Sequence, residues 1–376
     1  MKWSKAISSI MPSRKRQDKS TSASLSSLTW KRFRHNRLAM TSLAVIVLFT
    51  LMAMLGYLIT PDKTPYCNQQ YLELAAMKPF SKADFICIKN PEAERRSWTE
   101  TMLFGQPLPY TAIPIYRHKD AGSYYEVETF TGSTPNDGEI RQYAKSEVEK
   151  IETRRFMLGT DGYGRDVLSQ IMIGSRVSLS VGFIAVIIAL LIGITLGALA
   201  AYYGRWVDNV IMWILNVVWS IPTVLLVIAI TFALGKGFWQ VFVAVGLTMW
   251  VDVARMVRGQ VLSIKEKEYV EATRALGFST LRTIFRHILP NISGSIIVIT
   301  ASNFASAILL EAGLSFLGIG VQPPMPSWGC MVKENYGYIL LDNAYLAFIP
   351  GLAIIIIVLA FMLLGNGIRD ALDIKS

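Results

Sequence analysis

The chain has 376 residues, 52% of them hydrophobic, with a mean hydropathy of +0.39 and a formal net charge of +10. Soluble domains seldom reach that hydropathy, so the composition excludes an ordinary soluble domain and points to lipid as the solvent for much of the chain. Three histidines (His35, His118, His287) and three cysteines without a C-x-x-C pair argue against a metal centre, and no G-x-x-x-x-G-K-[ST] loop is present to bind ATP ("GKGF" at 235–238 fails).

A helix that crosses a bilayer needs about 20 mostly apolar residues. Six stretches meet that need, at about 39–60, 179–203, 209–234, 238–256, 292–318 and 345–366. Ahead of them, residues 1–38 form a tail with ten basic residues against one acidic, Asp18. Its "PSRKRQDKS" stretch has no interleaved aromatics, so anionic lipid is the expected partner and nucleic acid is not. The first span, 39–60, leads to Ile59-Thr60-Pro61 instead of a small-residue cleavage site and reads as a retained span.

Residues 61–157 form an insert in which polar and aromatic residues alternate. "PYTAIPIYR" and "SYYEVETFTG" predict strands, "STPNDGE" a turn and "EIRQYAKSEVEKIETRR" a charged, exposed helix, giving a small α+β subdomain. Cys67 and Cys87 both fall in it, and spacing alone leaves a disulfide between them open. In residues 158–178, Gly162 and Gly164 mark a turn. Val167, Leu168, Ile171 and Met172 then fall at helical spacing and predict a short interfacial helix before the second span.

Residues 179–366 carry the remaining five spans, followed by a tail at 367–376. Gly182, Gly193, Gly197 and Ala201 recur in the second span, with Gly193-x-x-x-Gly197 as a close-packing pair. Asp252 and Glu311 are the acids within these stretches, too few for a proton-coupled path, so the driving energy is expected from elsewhere. Residues 255–290 carry seven basic residues against three glutamates. Like the N-terminal tail, that loop belongs in the cytoplasm, and six spans return the C-terminus to the same side. The expected architecture is an all-α polytopic membrane protein of six transmembrane helices with a small extracytoplasmic α+β insert.

The loop 256–290 is unusually ordered for a connection between spans. Tyr269, Val270, Thr273 and Leu276 lie at helical spacings, Gly277 permits a sharp turn, Ser279 caps, and a second helix "TLRTIFRHIL" follows up to Pro290. A stiff helix beyond the membrane surface suits a docking element that transmits motion from a soluble motor.

At these residues the chain resembles the permease subunits of ATP-binding-cassette importers, whose loop signature is Glu-Ala-Ala, three residues, Gly, nine residues, then Ile-x-Leu-Pro. It stands here as Glu271-Ala272-Thr273, Gly277 and His287-Ile288-Leu289-Pro290, with Thr273 for the second alanine and His287 for the isoleucine. "LGTDGYGRDVLSQIMIGSRVSLSVG" and "ILLEAGLSFLGIGVQPPMPSWGCMV" narrow the likeness to the second permease of dipeptide, oligopeptide and nickel importers. The likeness covers residues 30–60 and 158–373, and leaves out the insert.

That resemblance implies the type I importer permease fold and a transport subunit with no catalytic site, cofactor or metal of its own. ATP and Mg would be bound by two partner ATPase subunits; a second, homologous permease and an external peptide-binding protein would complete the machine in the bacterial cytoplasmic membrane. Glu271, Ala272, Thr273, Leu276, Gly277, Leu289 and Pro290 would couple to the ATPases. Trp219, Pro222, Thr223, Asn303, Ser306 and Glu311 are candidates for the solute path, each with packing or kinking as the plainer reading. Pro323, Pro324 and Trp328 would seal the external gate or meet the binding protein. The same machinery could carry nickel chelates or peptide antibiotics, and a membrane-anchored sensor acting through the insert is the reading from another class.

Overall fold

The computed structural model describes residues 25–91, 96–132, 137–235 and 237–372. The "PSRKRQDKS" stretch, most of the "STPNDGE" turn, Lys236 and the end of the C-terminal tail lie outside them. Helix α1 (Leu25–His35) leads into α2 (Arg37–Ile59), whose Asn36 cap accepts a hydrogen bond from the Ala39 N–H at 3.2 Å. The insert follows, with β1 (Ser81–Lys89), a short α3 (Trp98–Phe104), β2 (Tyr110–Asp120), β3 (Tyr124–Thr129), β4 (Ile140–Ala144) and β5 (Val148–Phe156). The helical block then comprises α4 (Val167–Tyr203), α5 (Arg205–Trp219), α6 (Thr223–Leu234), α7 (Phe238–Lys265), α8 (Glu268–Ala275), α9 (Thr280–Thr283), α10 (Leu289–Phe316), α11 (Trp328–Asn335) and α12 (Tyr345–Leu372).

Among the described residues, five helices are long and apolar enough to cross a membrane, or six if the bent pair α5 and α6 counts as one. That pair is the stretch expected as a single span at 209–234. It bends by 92°, at Ser220-Ile221-Pro222. Pro222 lacks the N–H that would continue α5, so a new helix starts at Thr223.

The interfacial helix expected within 158–178 is not a separate element. Asp166 caps α4, accepting from the Ser169 N–H at 2.9 Å, and the helix runs unbroken to Tyr203. Nothing in "SRVSLSVG" forces a break, and residues such as Ser169, Gln170, Ser175 and Ser178 are buried against neighbouring helices. The fifth span likewise starts earlier than expected. An i→i+5 turn over Ile284–Ile288 joins α9 to α10, with the Leu289 N–H bonded to the Ile284 carbonyl. Pro290 therefore sits in the first turn of α10, where its missing N–H is tolerated.

The insert is a five-stranded antiparallel sheet in the order β4-β3-β2-β1-β5. The charged helix expected over 139–155 is a correction: those residues form β4 and β5, turning at Lys145-Ser146-Glu147. Pairing along the whole of β1 overrides the local charge content. The mostly exposed β4 carries Arg141 and Gln142 at the sheet edge, a protection against edge-to-edge pairing. Phe85, Cys87, Ala112 and Phe156 pack on one face with Tyr71 and Leu74, and Ile86, Ile115, Val127 and Val148 on the other. Cys67 and Cys87 are both buried and both free thiols, in separate clusters, so the disulfide left open by spacing is not formed.

Two devices hold the molecule together. A Cβ at Gly193 would stand 2.5 Å from the Val253 Cβ, and one at Gly197 2.4 Å from the Ala254 carbonyl oxygen, so α4 and α7 touch backbone to backbone. The Arg176 guanidinium of α4 donates to the carbonyls of Ala53 (2.9 Å) and Met54 (3.2 Å) in α2, and of Met102 (3.0 Å) and Leu103 (2.8 Å) in α3.

Gly197→Val should lower the thermal midpoint sharply, since overpacking costs about 1–3 kcal/mol even where neighbours can relax and here the obstacle is backbone. Gly259→Ala, where a Cβ meets nothing within 4 Å, should leave the midpoint unchanged or raise it. Melts of both variants in the same lipid check the contrast.

Candidate functional site

The loop between α7 and α10 carries the residues singled out by the motif. Helix α8 packs inward through Val270 and Thr273, whose hydroxyl donates to the Val270 carbonyl at 2.7 Å and lies 3.4 Å from the Thr283 hydroxyl. Thr273 is thus buried against α9 and is not available to a partner. Glu271, Ala272, Leu276 and Gly277 are exposed, Leu289 is half-buried and Pro290 exposed.

Gly277 has φ +72°, and a Cβ there would meet nothing within 4 Å, so glycine is required by the backbone and not by space. The Gly277 N–H bonds the Arg274 carbonyl (2.9 Å) and the Phe278 N–H the Thr273 carbonyl (3.0 Å), closing α8 with a C-terminal cap. Ser279 accepts from the Arg282 N–H at 3.4 Å and opens α9, as its position suggested.

The loop is tied to the helices beneath it. Arg274 lies 5.0 Å over the Tyr202 ring, Lys265 Nζ donates to the Ala201 carbonyl at 3.0 Å, and Arg258 grips Asp208 through two hydrogen bonds of 2.6 and 2.7 Å. Displacement of α8 would therefore reach the ends of α4, α5 and α7 together. Leu276 at the tip is 71% exposed. Burying such a side chain is worth about 1.5–3 kcal/mol, enough to reward a partner that covers it. His287, at the motif's isoleucine position, is half-buried beside Phe278 (5.8 Å), and its Nε2 has no hydrogen-bond partner among the described residues.

The six path candidates do not converge on one cavity. Trp219, Pro222 and Thr223 are exposed at the α5–α6 bend, where the Arg255 guanidinium lies 4.0 Å over the Trp219 ring. Ser306 is exposed on α10, whereas Asn303 is buried with its Nδ2 unpartnered among the described residues. Glu311 is fully buried and accepts from Ser178 (3.2 Å) and Ser315 (2.7 Å), joining α4 to α10. A cavity of about 860 Å³ lies elsewhere, between α7, α10 and α12, and includes Gln260, Asn291, Ser295, Ser302 and Asn366 in its wall. Its signal was present in the sequence: Asn291, Ser295 and Ser302 fall on one face of α10, in an otherwise apolar span.

At the opposite end of the helices, Pro323 and Pro324 are exposed, but Trp328 is completely buried. Its indole N–H donates to the Ile171 carbonyl at 3.0 Å and its ring meets Phe49 edge-on at 5.5 Å, so it is a packing anchor and not a contact surface. Beside it lies a network absent from the sequence reading. Buried Arg165 bonds Asp161 (2.6 Å) and Glu334 (2.5 Å), joining the loop before α4 to α11. Burial pushes the Asp166 and Asp62 carboxyls above the usual carboxylate range, each against the hydrogen bonds it accepts, and the Asp62 charge raises Asp166 further. Among the described residues, no group of three or more His, Cys, Asp or Glu could hold a metal ion.

Two family descriptions match this chain. "Binding-protein-dependent transport system inner membrane component" covers residues 193–375, and "N-terminal TM domain of oligopeptide transport permease C" covers 24–79. Neither spans residues 80–192. The glutathione transport system permease protein GsiD of Pectobacterium atrosepticum is 44% identical over 218 residues, 58% of this chain and 72% of that one. The dipeptide transport system permease protein DppC of Alkalihalophilus pseudofirmus is 43% identical over 217 residues, 58% and 71% of the two chains. The oligopeptide transport system permease protein OppC of Bacillus subtilis is 38% identical over 228 residues, 61% and 74%. The protein is a multi-pass membrane permease. It belongs to the family of binding-protein-dependent transport system inner membrane components.

Asp166 pays to be charged where it sits, so the sign of its pH effect is set. With a folded pKa above the unfolded one, its destabilising contribution is full above the folded value and fades as pH falls toward the ordinary carboxylate range. Asp166→Asn keeps a capping oxygen, and should melt at or above the wild type near neutral pH, with the difference shrinking on acidification. A pH series of melts in lipid checks it.

Proposed function

We propose that this permease carries short peptides inward by alternating access, driven by two ATPase subunits that dock on α8. The observation that carries the reading is the loop: a capped helix with an exposed Glu271-Ala272 face and Leu276 tip, hinged at Gly277 and tied to the ends of α4, α5 and α7. A lever needs that combination of an open outer face and stiff attachments, because a loose loop would dissipate the displacement. The names of the relatives, which are permeases for glutathione, dipeptides and oligopeptides, support a peptide cargo.

In this reading α5 and α6 together make one span, giving six, with both termini and the loop 256–290 in the cytoplasm. The insert and the Pro323-Pro324 loop then face outward, toward an external peptide-binding protein. A second permease completes the path. The polar wall of the 860 Å³ cavity is its inner vestibule, and Trp219, Pro222, Thr223 and Ser306 offer surfaces that a sister subunit would close over. A roomy, weakly polar passage suits cargo whose side chains vary.

Gly277→Pro and Glu271→Lys should each remove most uptake of a labelled dipeptide while the chain still inserts and the ATPases still hydrolyse ATP. Gly277→Ala, which asks alanine to hold a left-handed backbone at a cost of about 1–2 kcal/mol, should give a partial loss. Wild-type uptake in both of the first two variants, at equal membrane levels, would refute the lever.

A further inference from the structure

We infer that α3 of the insert docks on the lipid bilayer at the level where α2 leaves it, with Leu103 and Phe104 as its anchors. The height of α3 is set by the permease itself. Arg176 holds the last turn of α3 and the C-terminal part of α2 in one grip of four carbonyl bonds, with its guanidinium 5.1 Å over the Tyr57 ring. The chain leaving α3 is fastened to the loop after α2 as well: the Gln106 N–H bonds the Lys63 carbonyl at 2.7 Å, and a Cβ on Gly105 would stand 2.8 Å from that same oxygen.

A seven-residue helix held there leaves Trp98 67%, Leu103 58% and Phe104 61% uncovered by protein. Leu103 and Phe104, in the last turn of α3, lie beside the uncovered α2 side chains Met54, Leu55 and Ile59, because the Leu103 and Met54 carbonyls share the Arg176 guanidinium; that α2 surface meets lipid if α2 spans. Aromatic residues at the edge of a span, with their polar neighbours toward water, are what the bilayer interface favours, and such helices settle about 5–10 Å into it. Arg96, bonded to the Phe104 and Gly105 carbonyls, and Glu100, held at the capping box by Ser97, both line a hollow of about 630 Å³ with Tyr57, Leu103 and Phe104, so an acid and a base stand together at headgroup level. The orientation proposed above decides only which leaflet is touched, and the contact does not depend on the cargo.

The test places a nitroxide at Phe104→Cys in the full chain, reconstituted in bilayer discs, and compares collisions with oxygen and with a water-soluble nickel chelate. The three native cysteines are buried, so the unmutated chain serves as the labelling blank. Leu55→Cys on α2 is the lipid reference and Lys119→Cys on the sheet the water reference. The oxygen-to-chelate ratio at 104 should rise to that at 55, well above that at 119. A ratio at 104 matching 119 would overturn the proposal. Shielding of 104 from both probes would also overturn it, in favour of a protein cover. If Phe104→Cys does not fold, the same measurement at Leu103→Cys decides between these outcomes.

Discussion

Gly193 and Gly197 let α4 run against α7 with no side chain between them, and the rest of the permease hangs on that contact. Without a hydrophobic force between helices in lipid, association depends on close van der Waals approach. A pair of glycines one turn apart supplies it by letting backbone meet backbone. Because α4 is 37 residues long, the same rigid element carries Asp166 and Arg176 at one end and Ala201 and Tyr202 at the other. The insert and the α8 loop are therefore fastened to opposite ends of one shaft.

The polar groups in this apolar setting follow a common rule. Most, though not the Asn303 Nδ2 among the described residues, are paired with backbone or hydroxyl groups where opposite charge is scarce. Arg176 has four carbonyls and, among the described residues, no carboxylate, Glu311 has Ser178 and Ser315, and Trp328 has the Ile171 carbonyl. A group that costs several kcal/mol when left unsatisfied in a low-dielectric interior becomes, once bonded, a fixed point between elements. Full ion pairs stand at two junctions: Asp208 with Arg258 under the α8 loop, and Arg165 between Asp161 and Glu334 beside the insert.

Each error in reading the sequence has a physical source. The charged stretch 139–155 reads as an exposed helix from its charge content, but β5 pairs along β1 as that strand's second partner. The boundary expected near 178 was inferred from polarity, and polarity in "SRVSLSVG" reflects buried contacts with α10 and α2 and not a helix end. The family likeness put Trp328 at the external gate or against the binding protein, yet a cleft left by Gly174 receives its ring. The disulfide question turned on distance through space, which spacing does not contain.

The amino-acid sequence by itself determined the apolar spans, the capped helix and glycine hinge of the 271–277 motif, and family membership. These are local or periodic properties, written in runs of about 20 residues and in the conformational needs of single residues such as Gly277 and Ser279. The tertiary structure alone decided that Thr273 and Trp328 face inward, and that Arg176 joins the insert to two spans. Those outcomes depend on partners more than 70 residues away in the chain or on which face of a helix its neighbours cover, and neither is encoded at the residue concerned.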